Sequence, residues 1–308
     1  MTTNLWKTMS EQKGILVVAM VAAASAWTLH CSPVRDGFDV AKDEPPPVNS
    51  FVDASAEAGD DGGADRLAPL VDCADENKLI YVLSQKGNEL FRFDPVSLVF
   101  TSIGRLVCPT SGNTFSMAVD RRGTAWIEYD DGRIFKVSTK DASCEATAYR
   151  PGQHGFLTFG MGFAKDDADG GAPLSETLYL AGDALGRLDL STFDVSVVGT
   201  SSPGFGELTG TGAGTLYAFV QTGNRIVRLD KVTGGIVETY RPDADIGAGW
   251  AFAQWGGDFW LFTGTHNGRT TVTRYSPATD TSTVMIEDTG MLVVGAGSST
   301  CAPTEPPR

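Results

Sequence analysis

The sequence is short of the residue types on which most catalysis depends. Only three histidines, His30, His154 and His266, occur in 308 residues. The five cysteines form no C-x-x-C pair and no Cys/His spacing that would hold zinc. Bases are few: 24 Lys and Arg stand against 38 Asp and Glu, a formal net charge of −14. No basic cluster interrupts that balance, which excludes a phosphate-neutralising surface and so a nucleic-acid partner. The segment GTGAG at 210–214 lies between two strand patterns and opens no helix, so it reads as a turn and not as a dinucleotide loop. Nothing in the spacing supports a Ser-His-Asp triad.

One long apolar run is present, GILVVAMVAAASAWTL at 14–29, preceded by Lys7 and Lys13. That is the layout of an export signal, and the run is short of the about 20 residues that span a bilayer. Three fates stay open. Cleavage after Ala24-Ser25-Ala26 releases a soluble protein, and retention leaves a single N-terminal helix with its basic end in the cytoplasm. The third is lipidation of Cys31. An apolar run, a cysteine and then a polar tether resemble a bacterial lipoprotein, although Thr28-Leu29-His30 differs from the usual Leu and small residue before the cysteine. All three fates export the remainder of the chain. Segment 1–31 is thus a signal or anchor.

Residues 32–70 read as a tether. Between 36 and 66, nine acids stand against two bases, half of the net charge, among stretches such as EPPPVNS and AEAGDDGGAD. Such composition cannot offset the entropy of ordering. A flexible chain of that length reaches roughly 35 Å.

From residue 71 the pattern changes. Units of short apolar strands recur, each with an aromatic anchor: Tyr81, Trp126, Tyr179, Tyr217 and Trp260, spaced 45, 53, 38 and 43. A Gly-containing turn, an alternating strand, an Asp/Ser/Thr turn and a further strand follow each anchor. Repeats near this length with four strands apiece predict a β-propeller over 71–303, followed by a tail at 304–308. Inner strands precede the anchors, marked by Met117, Met161, Leu208, Phe252 and Val293. The last has no blade after it, and the first blade has no inner strand before it. The C-terminal strand therefore closes blade one, giving five blades of four antiparallel strands. Trp126, Trp250, Trp255 and Trp260 read as packing between blades.

Closure brings Cys73 and Cys301 to one rim, where a disulfide would staple the ring. Cys108 and Cys144 then pair by elimination. Their strand ends fall on opposite rims, so that pair requires the chain after Cys108 to fold back.

The stretches NELFRFDPVSLVFTSIG, SMAVDRRGTAW, WAFAQWGGDF and VVGAGSSTCAP resemble an uncharacterised group of extracytoplasmic β-propeller lipoproteins of predatory, soil-type bacteria, over about residues 73–303. The resemblance implies fold and compartment, with no activity and no site residues.

Ligands of propellers sit at the channel mouth, where inner strands begin. The loops there offer Asn113, His154, Asp243 and Asp245, and Glu207 is the one carboxylate placed inside an inner strand. Its equivalents, Ser116, Gly160, Ala251 and Leu292, supply no second acid for paired carboxylate hydrolysis. Asp167 and Asp169 in KDDADGGAP resemble the start of a calcium loop without its bidentate Glu, so no cofactor is expected beyond a weak calcium site. His266 lies in an Asn-Gly turn. The expectation is an exported, membrane-tethered, monomeric propeller that binds a protein or glycan at one rim. The alternative is a glycan-active hydrolase at the channel mouth.

Overall fold

The structure is a computed structural model, and it describes residues 73–166, 175–264 and 268–307. The signal segment with Cys31, the tether, Asp167, Asp169 and His266 lie outside the described residues.

Among the described residues, twenty strands make five four-stranded sheets. They run in chain order as β1 (Ile80–Ser84), β2 (Glu89–Asp94) and β3 (Val99–Arg105); β4 (Thr114–Val119), β5 (Thr124–Tyr129), β6 (Ile134–Ser138) and β7 (Cys144–Ala146); β8 (Gly160–Lys165), β9 (Glu176–Ala181), β10 (Leu185–Leu188) and β11 (Val195–Val197); β12 (Gly206–Gly210), β13 (Leu216–Val220), β14 (Arg225–Leu229) and β15 (Ile236–Tyr240); β16 (Gly249–Trp255), β17 (Asp258–Gly264), β18 (Thr270–Ser276) and β19 (Thr281–Ile286); and β20 (Val293–Ser298). Each sheet is an antiparallel meander, and the first is ordered β20-β1-β2-β3. The C-terminal strand thus completes blade one, and the fold is an all-β, five-bladed propeller.

The anchors set the register. Trp126, Tyr179, Tyr217 and Trp260 lie opposite Ala118, Gly162, Thr209 and Ala253 on their inner strands, and Tyr81 lies opposite Gly297. The fifth equivalent of Met117, Met161, Leu208 and Phe252 is therefore Ala296, three residues beyond the expected Val293. A bulge between Leu83 and Ser84 passes over Val294 in the pairing of β1 with β20, which hides the register in the sequence.

The third strand of every blade turns into the outer one in the same way. A residue four positions past Asp94, Ser138, Asp189, Asp230 or Ser276 adopts positive φ: Leu98, Ala142, Phe193, Gly234 and Asp280. In blades one, three and four the Asp side chain accepts backbone N–H bonds inside the turn, from Val96 to Asp94, from Ser191 to Asp189 and from Val232 to Asp230. These Asx turns explain why Asp ends those strands.

Five apolar clusters lie between successive blades, so each anchor packs against a neighbouring sheet. Trp126, Trp255 and Trp260 are buried there as expected. Between blades three and four the backbones meet closely. A Cβ on Gly162 would lie 2.8 Å from Leu208, so only glycine fits.

Among the described residues two disulfides form, Cys73 to Cys301 across 228 residues and Cys108 to Cys144 across 36. The first staples the closing blade. The second spans strand ends that a flat blade would hold on opposite rims. Twist accumulates across four strands, so the outer β3 swings toward the next blade. Gly104 of β3 then faces the Asp141–Ala142 turn that leads into β7, and Cys108 follows within reach of Cys144.

Candidate functional site: the sealed channel and its upper mouth

An inner strand of a propeller is a sheet edge, and its unpaired N–H groups face the axis. Side chains of neighbouring blades satisfy them. Ser116 Oγ accepts from Met161 N at 3.1 Å, Thr209 Oγ1 from Gln254 N at 3.1 Å and Thr270 Oγ1 from Val293 N at 2.9 Å. Glu128 Oε2 accepts from Phe159 N at 3.1 Å. Ser298 Oγ donates to Gln254 O at 2.9 Å. The bonds also cross the axis. Ser116 of blade two donates to Glu207 Oε2 of blade four at 2.7 Å. The channel is therefore a packed polar core.

Burial dominates the carboxyls within it. Glu207 is 4% exposed, and its pKa is pushed up to about 8 by loss of water, against the lowering effect of the Ser116 hydrogen bond. Glu128 is fully buried. Loss of water raises its carboxyl well above the usual range, Phe159 N–H opposes this, and Glu207 adds to the rise. Its Oε1 has no partner. At the other end of the core, Glu176 is pushed up to about 7 by burial while accepting from Arg121 N and Thr300 Oγ1.

Glu128 was not among the residues anticipated, yet its signal is in the sequence. The positions two beyond the other anchors hold Leu83, Ala181, Phe219 and Phe262. A carboxylate in that apolar column has to be buried. The structural equivalents of Glu207 are Ser116, Gly160, Ala251 and Gly295, which replaces Leu292.

Of the expected mouth residues, Glu207 alone lines the axial opening. That cup has a volume of about 120 Å³ and is walled by Thr114, Phe115 and Trp250, with Gln85 at its lip. Trp250 is the exception among the tryptophans expected in the core: it is partly exposed, facing the cup. Asn113 is committed elsewhere, bonding Asp130 through both its backbone N and its side-chain amide at 2.9 Å. His154 is exposed in a short 3-10 turn at φ 50°. Its neighbour Gln153 ties that turn to Phe193 O and Val195 N at the outer edge of blade three, away from the axis.

Asp243 and Asp245 line a larger groove of about 680 Å³, together with Thr263, Thr271 and Thr273 on the face of blade five. The same segment, 243–250, walls both openings, because Ala248 and the first residues of β16, Gly249 and Trp250, continue it into the cup. Among the described residues no group of three or more potential metal ligands converges.

No family model matches the chain, and no curated protein matches its sequence. Solved structures do. A chain of the nidogen/laminin complex is 15% identical with a TM-score of 0.46, covering 76% of this chain and 83% of that one. Streptogramin B lyase is 17% identical with a TM-score of 0.39, covering 67% and 64%. A protein of unknown function from Bacteroides caccae is 9% identical with a TM-score of 0.41, covering 71% and 97%. At these identities the likeness concerns architecture alone.

Proposed function

We propose that this chain is an exported, membrane-tethered binding module that recognises a glycan or protein through its upper rim without a covalent step. One observation carries the reading: a single segment, 243–250, which leads into β16, lines both openings of that rim. The groove falls within the about 300–1,000 Å³ of ligand sites. Its chemistry favours a hydroxyl-rich ligand, since the Thr263 and Thr273 hydroxyls carry no hydrogen bond and two Asp carboxylates stand at its lip. The two disulfides fit an oxidising, extracytoplasmic compartment. The apolar run, Cys31 and the acidic tether supply the anchor, and they support a place among bacterial propeller lipoproteins. Among the described residues no helix is long and apolar enough to cross a membrane.

Hydrolysis is the weaker reading. It needs two carboxyls flanking a bound sugar with solvent between them. Glu128 is sealed in the core, and Glu207 faces only a cup of about 120 Å³, too small for a sugar ring flanked by two carboxyls.

A glycan array with product analysis tests the proposal. Wild-type protein should retain a subset of glycans without releasing reducing ends. Thr271→Arg, which fills the groove, should lose retention while keeping its melting temperature. Product release, or retention unchanged in Thr271→Arg, would overturn it. Mass spectrometry of protein from its native host should show a lipid adduct on Cys31.

A further inference from the structure

The cup holds chemistry that the groove leaves unused. Glu207 uses Oε2 on Ser116, and Oε1 has no protein partner where the residue lines the cup. Among the described residues no Lys, Arg or His lines that space. Phe115 and Trp250 wall it, linked edge to face through Phe205 at ring-centroid distances of 6.2 and 6.0 Å. The volume of 120 Å³ equals that of about four waters, at about 30 Å³ each, which suits a narrow stem and not a ring with its substituents.

A narrow, aromatic-walled space over a lone carboxyl selects a cation on an unbranched chain. Apolar walls take the methylenes, ring faces attract positive charge, and the carboxyl supplies the counter-charge. Trp250 offers only an N–H donor, so its contribution is its ring. The chain's net charge of −14 draws cations toward the surface. We propose that the axial cup binds one primary alkylammonium group, its stem along Phe115 and Trp250 and its nitrogen on Glu207 Oε1. This deepens the rim-binding reading by naming the chemistry of one subsite.

The proton balance follows. Without ligand at pH 7, Glu207 carries a proton. Binding R–NH3⁺ gives a carboxylate–ammonium pair and releases one H⁺ to solvent. The groups around Glu207 are Ser116 and the buried Glu128. On the neighbouring inner strands β4, β8, β16 and β20 the one ionisable side chain is Lys165, at the far end of β8. Glu176 and Tyr179 on β9 and Tyr217 on β13 complete the set.

The test is calorimetric titration of the full chain with n-butylammonium in phosphate buffer, with n-butanol as the uncharged control. Butylammonium affinity should rise about tenfold per pH unit from 6 to 8 and level off above. Butanol should bind at least tenfold more weakly at pH 8. Glu207→Gln, which keeps the acceptor for Ser116, should lose binding at least tenfold and abolish the pH dependence. Trp250→Ala should weaken binding while Glu207 keeps its pH profile. No butylammonium binding at pH 8.5, or equal binding to Glu207→Gln, would overturn the proposal. The source is read from Nα-acetyl-lysine methylamide. Binding as tight as butylammonium assigns the group to a partner's lysine, and no binding assigns it to a free amine. Thr271→Arg should leave butylammonium affinity unchanged, so loss of glycan retention and loss of amine binding report separately on the groove and the cup.

Discussion

Glu207→Gln should make this protein more stable at neutral pH, and the gain should grow with pH. In the unfolded chain the carboxyl titrates near its ordinary 4.5, and in the folded core near 8. Between these values the unfolded state holds fewer protons than the folded one, so stability falls as pH rises. Each pH unit costs about 1.4 kcal/mol. The side chain is then neutral in its effect near pH 4, costs about 3 kcal/mol at pH 7 and about 5 kcal/mol above pH 8. Gln at the same position keeps an oxygen to accept from Ser116 Oγ and has no proton to lose. The assay is urea unfolding at pH 4.5, 7 and 9 with the disulfides intact. Glu176 titrates in both proteins and cancels in the difference, whereas Glu128 loses the contribution of the Glu207 charge in the variant, which adds to the gain at high pH. The Glu207→Gln minus wild-type stability should climb from about zero through about 3 to about 5 kcal/mol. A difference that is flat across the three pH values would refute the reasoning. It would mean that water in the cup solvates an ionised Glu207 and that the channel is not sealed.

Three further outcomes follow from the packing. Removing Cys73–Cys301 should cost more than removing Cys108–Cys144, by about 1.5 kcal/mol, because loop entropy grows with the logarithm of 228 against 36 residues; denaturation of the two double-Ser variants gives the ranking, and the reverse order would sink the closure argument. Gly162→Ala should cost about 1–3 kcal/mol in the same assay, since its methyl would meet Leu208 between blades that cannot separate. Gly234→Ala should also destabilise, by about 1–2 kcal/mol from its left-handed φ of 71° and by the approach of its Cβ to the Ser201 and Val198 carbonyls; unchanged stability would show that this turn carries a side chain at positive φ as readily as those of blades one and two do at Leu98 and Ala142.

Much of the architecture was legible because propeller repeats write one aromatic per blade into the sequence. Tyr81, Trp126, Tyr179, Tyr217 and Trp260 gave the blade number. The missing inner strand before Tyr81 gave the closure, and with it Cys73–Cys301. Local sequence failed where tertiary geometry intervenes. Repeat spacing points to Val293 as the fifth inner-strand equivalent where the register gives Ala296, because VVGAG has no alternation to count and a bulge shifts the pairing. Cys108–Cys144 needs a fold-back of the chain when the blades are taken as flat, and blade twist supplies the approach by carrying β3 across to the neighbouring turn. At the site, loop position placed Asn113 and His154 at the mouth, whereas side-chain bonding draws Asn113 to Asp130 and Gln153 pulls the His154 turn outward.

The deeper reason Glu207 and Glu128 sit in the core lies in the edges. Five inner strands bring unpaired N–H groups to one axis, and no sixth sheet is there to accept from them. Blades three and four meet through glycine contacts, while Thr209 of blade four and Thr270 of blade five supply short hydroxyls to the strands beside them. Blade two uses Ser116 for Met161 N and the longer Glu128 for Phe159 N. Ser116 then has a proton to place, and Glu207 receives it from across the axis. A carboxyl retained for that purpose alone would be better as glutamine, which accepts the same bond without the pH-dependent cost. An acid at this position is therefore most simply explained by a ligand at its free oxygen. Glu207→Gln separates the two roles: it should raise stability and lower affinity for an ammonium group in one substitution, whereas a purely structural Glu207 would raise the first and leave the second unchanged.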